Sequence, residues 1–161
     1  MDICNSILSH FDLSADIDTI SLTYDERFIR RKKLISDNGH EFLVDLEEMK
    51  SVFNDQAFKL RHGKIIKIKS KEERLIEIRS SNLNRLVWHI GNRHIPCQIE
   101  TDRILIQEDD IIQDMIHRLG GETKLIIEQF NPEGGAYGIG RTHGHKPVSY
   151  THLTLPTNRE V

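Results

Sequence analysis

A change of hydrophobic pattern near residue 71 is the feature that most constrains the fold of this chain. Before that point, apolar residues recur at the two-residue period of a half-buried strand, as at Ile20 and Leu22. After it, short strand-like runs alternate with two stretches that have the period of an amphipathic helix. With 161 residues, the chain can bury two small cores. We therefore predict an α+β fold with a β domain over residues 1–71, a second domain over residues 72–131 and a flexible tail over residues 132–161.

The first domain is predicted to be a small antiparallel β domain, because short turns join its strand candidates. Asp37-Asn38-Gly39 contains an Asn-Gly step, which supplies the positive φ angles that a tight hairpin needs. Arg61-His62-Gly63 has the composition of a second hairpin tip. The strand candidates that flank these two turns are Arg27–Ser36, Glu41–Leu46, Gln56–Leu60 and Lys64–Lys69.

The second domain has the predicted element order β-α-β-β-α-β. Ser81 or Asn82 can cap the first helix, and Gly91 suits the left-handed residue that would end it. Acidic residues at Glu108–Asp110 favour the start of the second helix, and Gly120-Gly121 favours its end. The strands are predicted at Arg74–Arg79, Cys97–Thr101, Arg103–Gln107 and Thr123–Phe130. With right-handed crossovers, this order folds most simply into a ferredoxin-like domain, a four-stranded antiparallel sheet with both helices on one face.

The composition argues against several kinds of partner. A net charge of −3 is too small to indicate binding to nucleic acid or to a membrane surface. No apolar run approaches the roughly 20 residues that cross a bilayer, and the N-terminus lacks the basic and apolar blocks of a signal peptide. Cys4 and Cys97 are too few to form a disulfide framework. We therefore expect a cytoplasmic protein with no nucleic-acid or membrane partner.

Histidines supply the candidate binding residues, because neutral imidazole is a good ligand for nickel, copper and zinc. His94 follows the first predicted helix and lies between Gly91 and Pro96, which would hold its ring in one direction. One imidazole binds metal weakly, so His94 becomes a site if a two-fold axis brings it beside its copy in a second chain. His143 and His145 form a His-x-His pair in the tail. The alternatives are a surface or hydrogen-bonding role for His94 and a solvated tail without function.

Cys97 follows His94 by three residues, a spacing at which both side chains can close on one metal ion. Because Pro96 fixes the backbone between them, the thiol can equally point into the protein interior. The sequence leaves both arrangements open.

Enzymatic and RNA-binding functions have less support from the residues. No nucleophile-elbow motif places Ser, His and Asp together, and there is no Cys-x-x-Cys pair. An RNA-binding module of this fold would need aromatic rings on strands 97–101 and 103–107, which contain none. A small hydrolase would need a phosphate cradle around Asn92 and Arg93, and the glycine-rich stretch 131–138 lacks the lysine of a phosphate loop. A peptide-binding scaffold with incidental metal affinity is the main alternative to a metal-binding protein.

Three motifs occur in a fixed order along the chain. They are Thr23-Tyr24-Asp25-Glu26-Arg27, Trp88-His89-Ile90-Gly91-Asn92-Arg93-His94 and Pro132-Glu133-Gly134-Gly135-Ala136-Tyr137-Gly138. In content and order they resemble the UreE family of urease accessory nickel chaperones, and the resemblance covers about residues 19–145. It implies an N-terminal β domain that binds partner proteins or peptides and a C-terminal ferredoxin-like domain for metal binding and dimerisation.

The resemblance also implies a specific site and specific partners. In a homodimer, His94 of each chain would bind Ni²⁺ at the interface, and His143 and His145 would supplement this pair. The ion would pass to the urease apoprotein with the help of an accessory GTPase and other accessory proteins. Such a protein is a chaperone with no catalytic activity of its own. Zn²⁺ and Cu²⁺ can compete for the same nitrogen ligands, and a urease-maturation scaffold with incidental metal affinity is the alternative function.

Two regions depart from the family pattern. Some members carry a further His-x-His at the start of the second helix, where this chain has Gln107-Glu108-Asp109-Asp110. Many members end in a long histidine-rich tail, whereas this chain from about residue 148 resembles a sequencing-adapter or truncation artefact. We therefore expect no second internal metal site at residues 107–110, and we treat the residues from about 148 as non-native.

Overall fold

A computed structural model describes residues 1–12 and 17–135 of the chain. The strands are β1 (Asp2–Leu8), β2 (Asp18–Leu22), β3 (Phe28–Ile35), β4 (Glu41–Ser51), β5 (Ala57–Leu60), β6 (Ile65–Ser70), β7 (Glu72–Arg79), β8 (Cys97–Ile99), β9 (Ile104–Gln107) and β10 (Glu122–Gln129). The helices are α1 (Leu83–Asn92) and α2 (Asp110–Arg118), and a 3₁₀ turn spans Asp25–Arg27. The predicted α+β class is confirmed. Neither helix in these two ranges is long and apolar enough to cross a membrane.

The first six strands form one sheet in the order β2-β6-β5-β1-β4-β3. Both predicted hairpins are present, because β3 pairs antiparallel with β4 and β5 with β6. Gly39 and Gly63 have φ angles of 84° and 100° in their turns. The prediction that all strands are antiparallel needs one correction: β1 is parallel to β4, and β2 is parallel to β6. The strand β1 enters between the two hairpins, where β4 and β5 run in opposite directions, so it must be parallel to one of them.

This first sheet curls around its own apolar core. Phe42 and Phe58 are fully buried there, with ring centroids 5.6 Å apart. Asp18, at the start of β2, is also buried, and its carboxylate accepts hydrogen bonds from the Ser36 hydroxyl and from the Thr19 N–H at 2.8 Å. Because Ser36 directly follows β3, this carboxylate links the two edge strands of the sheet.

The last four strands form a second sheet in the order β10-β7-β9-β8, and every neighbouring pair is antiparallel. This is the ferredoxin-like arrangement that the element order predicted. Both helices cover one face of the sheet, where Leu86 of α1 and Ile116 of α2 pack with Ile78 and Ile104. Asn82 caps α1 as expected, by accepting a hydrogen bond from a backbone N–H of the first turn.

The sheet face away from the helices carries a group of ion pairs centred on Arg103. Its guanidinium lies 2.9 Å from carboxylate oxygens of Glu128, Glu100 and Glu77. These three hydrogen-bonded carboxylates, Glu128 first, raise the pKa of Arg103 above its ordinary value. The Arg103 guanidinium in turn lowers the pKa of Glu128.

A buried cation joins the two sheets. Arg27 is 3% exposed and donates hydrogen bonds to the Leu22 carbonyl at 2.8 Å and to the Phe130 carbonyl. Beside it, the Tyr24 ring packs edge-on against Phe130, with centroids 5.5 Å apart, in a small apolar cluster that includes Leu75. The motif that ends at Arg27 therefore has a structural role, since it fixes the first sheet against the second.

Candidate metal centre

His94 lies immediately after α1, at a backbone position that normally favours glycine. The helix continues past Gly91, which we predicted would end it, and stops at Asn92. The His94 N–H bonds the Gly91 carbonyl at 2.9 Å, and the Ile95 N–H bonds the Ile90 carbonyl at 3.3 Å. This pair of hydrogen bonds is a Schellman motif, and His94 occupies its left-handed position with a φ angle of 58°.

The second helix ends in the same motif and provides an internal comparison. The Gly120 N–H bonds the His117 carbonyl at 3.0 Å, and the Gly121 N–H bonds the Ile116 carbonyl at 2.9 Å. Here the left-handed residue is Gly120, with a φ angle of 84°. A residue with a Cβ atom costs roughly 1–2 kcal/mol in this conformation, although histidine is among the more tolerant types. His94 therefore occupies its position at the expense of folding free energy.

The left-handed backbone directs the His94 side chain away from the regular path of the helix. The side chain is half-buried, and Pro96 stiffens the chain that leaves it. A half-buried imidazole on a fixed turn can bind a metal ion with little loss of conformational entropy. The sequence predicted the rigid placement of this ring, but it assigned the left-handed conformation to the wrong residue.

Cys97 lies in the apolar core, the inward arrangement of the two that the sequence left open. It is 8% exposed and packs in the cluster that contains Ile90 and Ile106. Burial, followed by the charge of Glu133, raises the pKa of its thiol. Because thiolate is the metal-binding form of cysteine, this environment disfavours Cys97 as a ligand.

The domain that carries His94 has several exposed apolar side chains. Trp88, one and a half turns before His94 on α1, is 62% exposed and packs edge-on against His89 with ring centroids 5.0 Å apart. Among residues 72–135, the other exposed large apolar side chains are Ile99, Ile111, Leu125 and Ile127. Sequence reasoning did not single out Trp88, although a tryptophan on the polar side of a helix was a visible signal of a contact surface.

Residues 107–110 have structural roles in the second domain. Glu108 pairs with Arg74 at 2.9 Å, and this contact lowers the pKa of Glu108. Asp109 caps α2 by accepting hydrogen bonds from the N–H groups of Ile111 and Ile112 at 2.9 and 3.1 Å. Glu108 and Asp109 therefore both make contacts that stabilise the second domain.

The structure brings together a second pair of histidines, which lie far apart in the sequence. His40 and His62 both approach the carboxylate of Asp2, with ligand atoms of all three within 4.8 Å of one another. Strand topology creates this cluster, and no local spacing in the sequence could have identified it. The predicted ligands His143 and His145 lie outside the described residues.

Comparison with known proteins gives consistent matches along the chain. The family model "UreE urease accessory protein, N-terminal domain" matches residues 5–79, and "UreE urease accessory protein, C-terminal domain" matches residues 73–154. A urease accessory protein UreE from Ruegeria pomeroyi is 51% identical over 128 residues, which are 80% of this chain and 86% of that protein. The UreE protein of Rhodobacter capsulatus is 46% identical, over 82% of this chain and 84% of its own length. That of Chelativorans sp. is 41% identical, over 87% and 89% of the two chains.

Proposed function

Because this chain belongs to the UreE family of urease accessory proteins, we propose that it is a nickel metallochaperone. It binds Ni²⁺ through His94 of two identical chains and delivers the ion for assembly of the urease active site. The ion is the cargo of the protein. The observation that carries this proposal is the left-handed backbone of His94, where the fold favours glycine but the sequence has an imidazole.

A homodimer supplies the second imidazole that one chain lacks. A single imidazole is a weak site, and a two-fold axis near His94 brings two of them to one ion. The exposed Trp88 on the same helix supports an interface here, because aromatic residues are enriched at the buried centres of interfaces. On a two-fold axis, the same surface of each chain meets its copy, so one patch around α1 is sufficient to form the whole interface.

The tail completes the proposed site. His143 and His145 add nitrogen ligands, and water occupies the remaining positions. A few neutral ligands with exchangeable water allow transfer of the ion, whereas a closed tetrahedral thiolate site would retain it. Since imidazole binds metals only in its unprotonated form, nickel affinity is expected to fall as the solution becomes acidic.

The proposed function requires no catalytic activity from the protein itself. The chain acts in the cytoplasm on urease apoprotein, together with the accessory GTPase and other accessory proteins. In this division of labour, the first sheet contacts partners and the second sheet carries the metal. The alternative is a scaffold for urease maturation whose metal affinity is incidental.

Nickel titration calorimetry on the His94→Ala protein tests the proposal. We expect loss of the tightest nickel site of the dimer, with the fold preserved because the motif lies in a turn. His117→Ala is the matched control, since it removes an exposed imidazole from the end of the other helix of the same sheet. Unchanged nickel binding in His94→Ala would contradict the proposal, and full urease activation by that variant would favour the scaffold.

A second experiment concerns the tail. Ending the chain after Tyr137 is expected to lower nickel affinity or stoichiometry without removing dimerisation. Light scattering reports the oligomeric state of the same samples. Identical nickel titration curves for the full and shortened chains would exclude a contribution from His143 and His145.

A further inference from the structure

A cluster of Asp2, His40 and His62 forms where three strand ends meet. The strand β1 lies between β4 and β5, parallel to the first and antiparallel to the second. The start of β1, the start of β4 and the end of β5 therefore lie at the same edge of the sheet. Asp2 is the first residue of β1, His40 directly precedes β4, and His62 follows β5 in its turn. Residues far apart in sequence thus reach a common point through the parallel pairing of β1.

The two imidazoles converge on one carboxylate oxygen. Nε2 of His40 lies 2.6 Å from Oδ2 of Asp2, and Nε2 of His62 lies 2.9 Å from the same oxygen. The two rings are nearly perpendicular, at 87°, with centroids 6.3 Å apart. The hydrogen bond from His62, together with the close approach of the His40 imidazole, keeps the pKa of Asp2 below its ordinary value despite the opposing effect of desolvation. The carboxylate is therefore ionised at neutral pH and available as a ligand.

One nitrogen of this cluster is poorly satisfied. Nε2 of His40 is buried, and among the described residues it has no hydrogen bond of acceptable geometry, even though Asp2 Oδ2 is close. A buried imidazole nitrogen without a well-directed partner is costly. A metal ion bound between the three side chains would give this nitrogen a partner.

We propose that Asp2, His40 and His62 bind a zinc-like divalent cation, at a second metal site separate from His94. Two imidazole nitrogens and one carboxylate oxygen form a three-ligand set that suits Zn²⁺ and leaves a fourth position for water. With metal–ligand distances of about 2.0–2.1 Å, ligand atoms around a tetrahedral ion lie about 3.3 Å apart. The carboxylate must therefore move about half an ångström away from the rings. The Asp2 side chain is 33% exposed and can make this movement.

Metal at this site would hold the first sheet together. The ligands come from β1 and from the ends of two hairpins, so the site forms only when the three segments are assembled. Ligands that bind only the folded state stabilise it. At free Zn²⁺ of about 100 times the dissociation constant, we expect the melting temperature to rise by about 5–10 °C. Metal binding at this site would raise the stability of the first sheet, which we propose contacts partner proteins.

The test uses full-length protein from which the other proposed ligands have been removed. The background carries alanine in place of His94 and of the histidines at positions 143, 145 and 152. Equilibrium dialysis against buffered Zn²⁺ measures the stoichiometry, and the visible spectrum of bound Co²⁺ reports nitrogen and oxygen ligation. We expect one Zn²⁺ per chain in this background and a rise in melting temperature with Zn²⁺.

Three variants in that background decide the outcome. His40→Gln with His62→Gln should abolish zinc binding and the thermal shift, and Asp2→Asn should weaken binding at least tenfold. His10→Gln with His117→Gln also removes two exposed imidazoles and should bind zinc normally. Zinc binding that survives in His40→Gln/His62→Gln, or a background that binds no zinc, would overturn the proposal. Nickel binding at His94 is measured separately in the wild-type protein, so failure of either site is distinguishable from failure of the other.

Discussion

At position 94, glycine is expected to give a more stable fold than alanine, and either residue removes the proposed nickel ligand. His94 has a φ angle of 58°, which is strained for any residue that carries a Cβ atom. The equivalent residue after α2 is Gly120, so the fold already uses glycine at one of its two helix ends. The two variants should therefore differ in folding stability although both lack the nickel ligand.

The magnitude follows from two opposing terms. Removing the Cβ atom from a left-handed position gains about 1–2 kcal/mol, and the greater freedom of glycine in the unfolded chain costs about 0.5–1 kcal/mol. The difference is a gain of about 0.5–1 kcal/mol. For a chain of this size, that corresponds to a rise in melting temperature of about 1–4 °C.

The clean comparison is between His94→Gly and His94→Ala, because both lack the imidazole and any contact it makes. Thermal and urea unfolding are measured with a chelator present and at one fixed protein concentration, since dimerisation makes stability concentration-dependent. His94→Gly should be the more stable of the two. Gly120→Ala serves as the mirror control and should lose a similar amount without changing nickel binding. A His94→Ala protein as stable as His94→Gly would refute the argument that this backbone position is strained.

Three further predictions concern the packing and charges of the fold. Gly121→Ala should lower the free energy of unfolding by about 1–3 kcal/mol in a urea titration, because its Cβ would lie 2.6 Å from an isoleucine methyl group of α2. Gly91→Ala is the control: its Cβ would meet nothing within 4 Å, so the same titration should show a gain of about 0.5–1 kcal/mol. Arg27→Gln should cost about 2–4 kcal/mol in urea unfolding, because two buried carbonyls lose a charged donor. Arg103→Gln should cost about 1 kcal/mol at pH 7. Since Arg103 lowers the folded-state pKa of Glu128, this contribution is complete above the ordinary glutamate pKa and is lost as pH falls through the lowered pKa. The stability difference between wild type and variant should therefore shrink as the solution is acidified through this range, and a constant difference would exclude the linkage.

Local patterns were sufficient for most of the secondary structure. The Asn38-Gly39 turn, the two amphipathic helices and the βαββαβ order all depend on neighbouring residues, and the structure contains them. The strand β1 was missed because residues 2–8 lack a clear two-residue alternation, and its parallel pairing with β4 was missed with it. The end of α1 was misplaced because glycine has the strongest intrinsic preference for the left-handed position, yet the hydrogen bonds assign that position to His94.

The candidate metal-binding residues also differ in whether neighbouring residues or distant strands determine their positions. The position of His94 after a helix could be predicted, because a helix and a proline on either side restrict it. The approach of Asp2 to His40 and His62 could not, since it depends on which strands become neighbours. Its partners are separated from it by tens of residues, and their side chains are ordinary turn residues in the sequence.

The contact made by Arg27 has a practical consequence for anyone who cuts this chain in two. A fragment that ends near residue 71 would keep the guanidinium but lose the Phe130 carbonyl that receives one of its hydrogen bonds. The complementary fragment would expose Leu75, Leu105 and Phe130, which are fully covered in the intact protein. If either fragment were used as the bait in a pull-down, its newly exposed surface would bind proteins non-specifically. Substitutions in the intact chain are therefore the sounder way to map which half recruits which partner.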